Sequence, residues 1–147
     1  MKKIIVVLCG VFLLANSSCE KQISSYNSSE SHNQGADCMA CHTKGGSGAE
    51  EGRFYVAGTV YDTSKVALYP NTTIELYTGV NGTGDLVTTI EVDNKANFYT
   101  NKKVKFKNGL FPTVIGAGGI KKHMSFSVTT GSCNSCHGIS TTKLWAE

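Results

Sequence analysis

The sequence has little of what a helical protein needs, since it contains no long stretch rich in alanine, leucine and glutamate. It also has only two prolines, whereas glycine, threonine, asparagine and serine are abundant. That composition favours short strands joined by turns and excludes a helical bundle. With 147 residues, the chain is long enough for one domain with a modest core.

Acidic residues and arginine are almost missing from the last third of the chain. From residue 94 onward the only acid is Glu147, set against eight lysines, and no arginine occurs there. This region also lacks the aromatic–basic interleaving that binds single-stranded nucleic acids, so we expect no nucleic-acid partner. The lysines form either a solvated face or a basic surface that docks an acidic redox protein.

Apolar runs long enough to cross a bilayer comfortably are missing as well. The longest run, residues 4–15, has twelve residues and follows the basic stretch Met1-Lys2-Lys3. These are the features of a signal peptide, which we place at residues 1–18. The mature protein is therefore expected outside the cytoplasm.

Residues 16–19, NSSC, resemble the end of a bacterial lipoprotein signal, in which the cysteine becomes the first mature residue. The resemblance implies that Cys19 is acylated and anchors the protein in the cell envelope, on the periplasmic side or the outer surface. The alternative is ordinary signal-peptidase cleavage, which leaves Cys19 as a stray thiol. The polar residues that follow predict a lipid-anchored linker over 19–36.

Four of the six cysteines form two copies of one pattern, CMACH at 38–42 and CNSCH at 133–137. On one helical turn, residues three and four apart share a face, so two thiols at this spacing reach both vinyl groups of one porphyrin. The histidine that follows lies under the ring, where it can bind iron as the proximal ligand. One zinc site made of four thiolates, or two local disulfides, would not require that histidine.

Both patterns resemble the haem-attachment sites of c-type cytochromes. Residues 31–42, SHNQGADCMACH, also resemble the haem-binding opening of small multihaem cytochromes of anaerobic and environmental bacteria. The resemblance implies two haem c groups, attached outside the cytoplasm by a dedicated maturation system. The implied residues are Cys38, Cys41, Cys133 and Cys136 for covalent attachment, with His42 and His137 as proximal ligands.

Histidine is scarce, and the two histidines left over each lie upstream of one pattern. His32 precedes the first and His123 the second, so two low-spin, bis-histidine haems would use all four. Met124 is the rival of His123, which we favour; in a strand their side chains point to opposite faces, so only one can face the haem. His32 is alternatively an exposed loop residue or a ligand to the other haem.

The residues between the two patterns lack a helical signal of useful length. Alternating polarity predicts six strands, bounded by turn residues, and hence a mainly β, antiparallel sandwich flanked by short helical haem-binding segments. The predicted strands are 53–62, 72–78, 85–92, 97–106, 112–118 and 120–129.

This segment resembles the Ig-like sandwich of the carboxypeptidase regulatory-like family. The resemblance rests on GTVYD at 58–62, PNTTIEL at 70–76 and the turn from Asp93 to Phe98, with Ala96 where that family commonly has glycine. It implies a binding or spacer module rather than a catalytic one. We expect one di-haem domain over 37–147, in which haem segments 31–48 and 120–147 surround a sandwich at 52–130.

The sequence thus predicts an electron carrier of the cell envelope, not an enzyme, whose haems pass single electrons between redox partners. We expect both haem segments to fold back to one pole of the sandwich. Two other hypotheses remain. A haem sensor or small redox enzyme would need an open position on one iron, and a surface-binding sandwich would carry no haem.

Overall fold

The structure is a computed structural model, and it describes residues 31–147. The predicted signal peptide, Cys19 and the linker up to residue 30 lie outside the described residues. Within the described part, no helix has the length and apolar character needed to cross a membrane.

Short strands make up most of the regular structure, as the composition predicts. One four-residue helix and three single 3-10 turns accompany them. The turns span Ala49–Glu51, Val80–Gly82 and Cys133–Ser135. The helix and strands are α1 Cys38–Cys41, β1 Val56–Thr59, β2 Thr73–Tyr77, β3 Leu86–Glu91, β4 Asn97–Thr100, β5 Phe111–Ile115 and β6 Lys121–His123.

Two antiparallel sheets form the body of the protein. β1 pairs with β4, and the second sheet has the strand order β3-β2-β5-β6. Along β2, the buried Ile74 and Leu76 alternate with partly exposed neighbours, so one face of the larger sheet is apolar. The predicted mainly β, antiparallel sandwich is therefore confirmed.

The core lies between the two sheets. Phe98 from the smaller sheet and Leu76 from the larger are both essentially inaccessible, and each such side chain stabilises the fold by about 1.5–3 kcal/mol. The buried apolar cluster comprises Val56, Val60, Ile74, Leu76, Ile90, Val92, Ala96, Phe98, Leu110, Val114 and Ala146.

The C-terminal segment extends the smaller sheet. It makes two parallel bridges, Ser132 opposite Ala57 of β1 and Trp145 opposite Tyr61, two residues beyond the end of β1. Gly131 makes the first approach possible, because a Cβ there would lie 2.1 Å from the carbonyl oxygen of Tyr55. Residues 133–143 lie between these two bridges and contain the second CxxCH pattern.

All six predicted strands are longer than the observed ones, three of them by six residues or more. The strand predicted at 53–62 is reduced to Val56–Thr59. The strand predicted at 97–106 ends at Thr100, because the register of β4 with β1 ends at the pair formed by Val56 and Thr100. The strand predicted at 120–129 ends at His123, and pairing resumes only where Val128 bridges to Leu110. Alternation alone does not reveal where a strand loses its partner.

Candidate functional site

The first CxxCH pattern forms a single helical turn, α1. Asp37 caps it, accepting a hydrogen bond from the backbone N–H of Met39 at 3.1 Å. The backbone N–H of His42 donates to the carbonyl of Cys38 at 2.9 Å, which closes the turn. The two cysteines and the histidine therefore project from one compact loop.

The second pattern repeats this geometry in a 3-10 turn. The backbone N–H of His137 donates to the carbonyl of Cys133 at 3.0 Å, matching the bond from His42 to Cys38. The chain then turns at Gly138, whose φ of 92° lies in the region that favours glycine. Both patterns thus fold as the spacing predicts, with the histidine bonded back to the first cysteine.

The two patterns lie side by side, although ninety-five residues separate them. Ser132, just before the second pattern, donates a hydrogen bond to the carboxylate of Asp37, just before the first. Next to it, the side-chain amide of Asn134 donates to the carbonyl of Ala36 at 2.9 Å. The expectation that both segments fold back to one pole is confirmed.

A buried polar network fastens this junction to the smaller sheet. Thr59 of β1 donates its backbone N–H to the amide oxygen of Asn134 at 3.2 Å and its hydroxyl to Asn97 of β4 at 2.6 Å. Gly35 donates to the Thr59 hydroxyl oxygen at 2.9 Å, and Asn97 donates to the carbonyl of His32 at 3.1 Å. Both segments are therefore held by the same two strands.

Asn134 was missed by sequence reasoning, because it occupies a variable position inside CNSCH. It is 2% exposed, and its partners lie 75 and 98 residues away in the sequence. A pattern search reads only neighbouring residues, so only the fold could identify this role. A polar residue so deeply buried is stabilising only because its hydrogen bonds are made.

The four cysteines carry free thiols in two different environments. Cys41 and Cys136 are exposed, whereas Cys38 and Cys133 are half-buried. Burial, followed by the proximity of Cys38, raises the pKa of Cys133 to about 12. Burial also raises the pKa of Cys38. Burial therefore favours the neutral thiol form of these two sulfurs.

The described residues also contain no group of three or more His, Cys, Asp or Glu side chains that could hold a metal ion. That finding bears on the zinc alternative, which requires four protein ligands at one point. A haem iron takes an axial protein ligand on each face, so a cluster of three is not what haem attachment requires.

His137 has the local geometry of a metal ligand. Its Nδ1 lies 2.8 Å from the carbonyl oxygen of Thr142. Because a carbonyl only accepts, the proton is on Nδ1, and Nε2 keeps its lone pair. Metal-binding histidines are oriented in this way, with one ring nitrogen donating to a carbonyl and the other facing the metal.

His42 is held differently. It is 4% exposed, and its ring stacks on Phe54 with centroids 4.0 Å apart, while Phe54 stacks on Tyr99 at 4.4 Å. On Gly48, an added Cβ would lie 2.8–3.0 Å from three consecutive ring atoms of His42. The imidazole therefore fits between Phe54 and a glycine that leaves room for it.

The remaining sequence-predicted residues all lie near one of the two patterns. The ring of His32, an exposed residue, is 5.9 Å from that of His42, centroid to centroid. His123 hydrogen-bonds through Nδ1 to the hydroxyl of Thr113 at 2.9 Å, and Met124 lines a cavity beside the second pattern.

That cavity has a volume of about 630 Å³, within the usual range for cofactor sites. Cys133, Cys136 and His137 line one side, and apolar groups such as Val114, Phe126 and Trp145 line much of the rest. Its lining includes two lysines but no carboxylate side chain, and these lysines are Lys122 and Lys143. The cavity is therefore mainly apolar, and the ammonium of Lys122 at its edge pairs with the carboxylate of Glu147 at 3.0 Å.

Comparison of the chain with protein-family models, with curated proteins and with solved structures finds no match.

Proposed function

We propose that this protein is a di-haem c-type cytochrome that carries single electrons between redox partners in the cell envelope. The proposal rests on the pair of CxxCH turns. In both turns the backbone N–H of the histidine donates to the carbonyl of the first cysteine, and the hydrogen bond from Ser132 to Asp37 joins the two turns. Two attachment sites at one pole are the arrangement that electron exchange between two porphyrins requires.

The residues of the second pattern fit haem c. Cys133 and Cys136 supply the two thiols, each of which would add across one vinyl group, and His137 presents Nε2. Lys122 and Lys143 border the same cavity, although the ammonium of Lys122 is paired with Glu147 at 3.0 Å and that of Lys143 lies over the ring of Tyr61. Phe126, 59% exposed at the cavity, offers apolar surface for the ring to cover. When bound, haem supplies a one-electron iron couple.

The first pattern supplies the matching set on Cys38, Cys41 and His42. Phe54 and Gly48 hold the His42 ring in place, and the ring of His32 lies 5.9 Å from it, centroid to centroid. We assign His32 as the distal ligand of this haem, since a second imidazole gives a low-spin iron without an open coordination position.

Electron transfer is favoured over catalysis because three of the four described histidines, His32, His42 and His137, are assigned as ligands, and the fourth, His123, is hydrogen-bonded to Thr113. An enzyme would need acid–base groups beside an open haem face. A lysine-rich loop between β4 and β5 supports docking of an acidic redox partner, because its four lysines are exposed. They are Lys102, Lys103, Lys105 and Lys107.

The test is to mature the full chain in a host with the cytochrome c assembly machinery and to record its mass and visible spectrum. Two covalent haems with low-spin bands support the proposal. In the Cys133→Ser, Cys136→Ser variant, one haem should be lost while the first remains. Cys19→Ser should keep both haems and serves as the control.

Two outcomes of that experiment favour the other functions. A high-spin component that shifts with carbon monoxide or peroxide would indicate a sensor or enzyme with one open haem. Colourless protein containing two disulfides would indicate a surface-binding sandwich.

The envelope location is a separate part of the proposal and rests on residues 1–19. Cys19→Ser should move the protein from the membrane fraction to the soluble periplasmic fraction, because lipid anchoring needs the acylated cysteine. Retention of this variant in the membrane fraction would contradict lipidation at Cys19 without touching the haem assignment.

A further inference from the structure

His123 ends β6 and Met124 follows it, and the two residues lie on opposite faces of the larger sheet. We propose that Met124, rather than His123, is the distal ligand of the second haem iron. This inference rests on the proposed di-haem function and gives the two irons different ligand sets.

The register of the sheet shows which face carries Met124. On β5, Pro112 pairs with Leu76 and Val114 pairs with Ile74, so both lie on the inner, core-facing side. Lys122 pairs with Val114 on that same side. The backbone N–H of Met124 donates to the carbonyl of Pro112 at 2.9 Å, which continues the pairing by one more residue. Met124 therefore shares the inner face.

The cavity of the second pattern borders this inner face, and its lining also includes Thr113 and His123 of the outer face. Its lining includes Pro112, Val114 and Lys122, together with the half-buried Met124. The same lining includes Cys136 and His137. A thioether on this face and an imidazole of the CxxCH turn thus border one space, as the two axial ligands of one iron must.

His123 belongs to the outer face. It pairs with Thr113 and hydrogen-bonds to its hydroxyl at 2.9 Å. The turn Val80–Gly82 lies over the ring, since a Cβ on Gly82 would be 3.0 Å from Cε1 of His123. Although His123 also borders the cavity, its ring would have to leave Thr113 and pass to the other face of the sheet to replace Met124.

Mixed ligation has a consequence for the direction of electron flow. A methionine ligand raises the reduction potential of a haem relative to a second histidine. With His32 on the first iron and Met124 on the second, the first haem has the lower potential. Electrons then enter at the first pattern and leave at the second.

The test uses the full chain matured with haem. Met124→Leu keeps the shape of the side chain but removes the sulfur, and His123→Asn keeps a polar group for Thr113. We expect Met124→Leu to keep two covalent haems by mass, to lose the red charge-transfer band of sulfur-ligated ferric haem, and to change the spectrum and potential of one haem only. His123→Asn should keep that band and both potentials.

A second measurement does not require a variant at position 124 to fold. In the ferrous wild-type protein, proton NMR should show one methyl signal shifted far upfield by the porphyrin ring current, as expected for bound methionine. Met39→Leu should keep that signal. The assignment would be overturned if protein that carries two haems lacked this signal. It would also be overturned if His123→Asn, and not Met124→Leu, lost an iron ligand. Protein without covalent haem would instead contradict the proposed function.

Discussion

Ser132 donates a hydrogen bond to the carboxylate of Asp37, and each of these residues immediately precedes the first cysteine of a CxxCH pattern. Asp37 also caps α1 through the backbone N–H of Met39. One carboxylate therefore shapes the first attachment loop and joins it to the second. The spacing of the two CxxCH turns depends on this contact, because it lies between them.

Replacing Asp37 should loosen that junction. We expect Asp37→Ala to lower the free energy of unfolding by about 2–3 kcal/mol, since it removes a helix cap and a charged hydrogen bond. Asp37→Asn keeps an oxygen acceptor and should cost less. The measurement is denaturant unfolding of the haem-containing protein.

The matched control for this series is Asp85→Ala, because Asp85 is an exposed carboxylate in the turn before β3. It should change the free energy of unfolding by no more than about 0.5 kcal/mol. Equal losses for the Asp37 and Asp85 variants would show that the junction contributes nothing to stability.

Asn134 offers a test of the buried network. Asn134→Ala should remove partners from the Thr59 N–H and the Ala36 carbonyl, at a cost of about 3 kcal/mol. Because the cysteines and the histidine of CNSCH are untouched, the mass should still show two haems. The unfolding midpoint, compared with that of the exposed-site control Asn101→Ala, measures the effect. A midpoint shift no larger than the control's would contradict the assigned role of Asn134.

Local sequence patterns were enough to predict the sandwich and the two attachment turns. Alternation places Ile74 and Leu76 on one face, and CxxCH spacing places His42 against Cys38, since both depend on near neighbours. The contact between Asn134 and Thr59 depends on how the C-terminal segment lies along β1. No local pattern carries that information, so the network could not be predicted.

The face on which Met124 lies is a second feature that the local sequence alone could not predict. Alternation predicts that His123 and Met124 face opposite ways, but only the register with β5 says which face is the inner one.

Ala96 is a further case: its φ of 64° explains why the related pattern favours glycine there. Asp93 holds that turn by accepting from the backbone N–H groups of Lys95 and Asn97 at 2.9 Å each.

Gly48 allows a steric test of the first haem site. Its φ of −95° suits any residue, so Gly48→Ala adds only a methyl group against the ring of His42. We expect the imidazole to shift, changing the spectrum and potential of one haem and lowering the free energy of unfolding by about 1–3 kcal/mol. Gly118→Ala is the control, since a Cβ there would meet nothing within 4 Å. Identical spectra for both variants would argue against a fixed His42 ring.

The buried thiols should be visible before haem is attached. In haem-free protein at pH 8, iodoacetamide should label the exposed Cys41 and Cys136 faster than Cys38 and Cys133, because the thiolate is the reactive form and access limits the reaction. Peptide mass spectrometry after short labelling times measures the four rates. Equal rates at all four positions would contradict the buried environment of Cys133.

The same thiol predicts how the stability of the haem-free protein varies with pH. Burial raises the pKa of Cys133 from 9.0 to about 12, so the folded chain holds this proton more tightly than the unfolded chain. Below pH 9 both states are protonated and stability is unaffected; between pH 9 and 12 only the unfolded thiol ionises, so the free energy of unfolding should fall. Cys133→Ser should remove this part of the decline. A decline of the same size in Cys133→Ser would assign it to other groups.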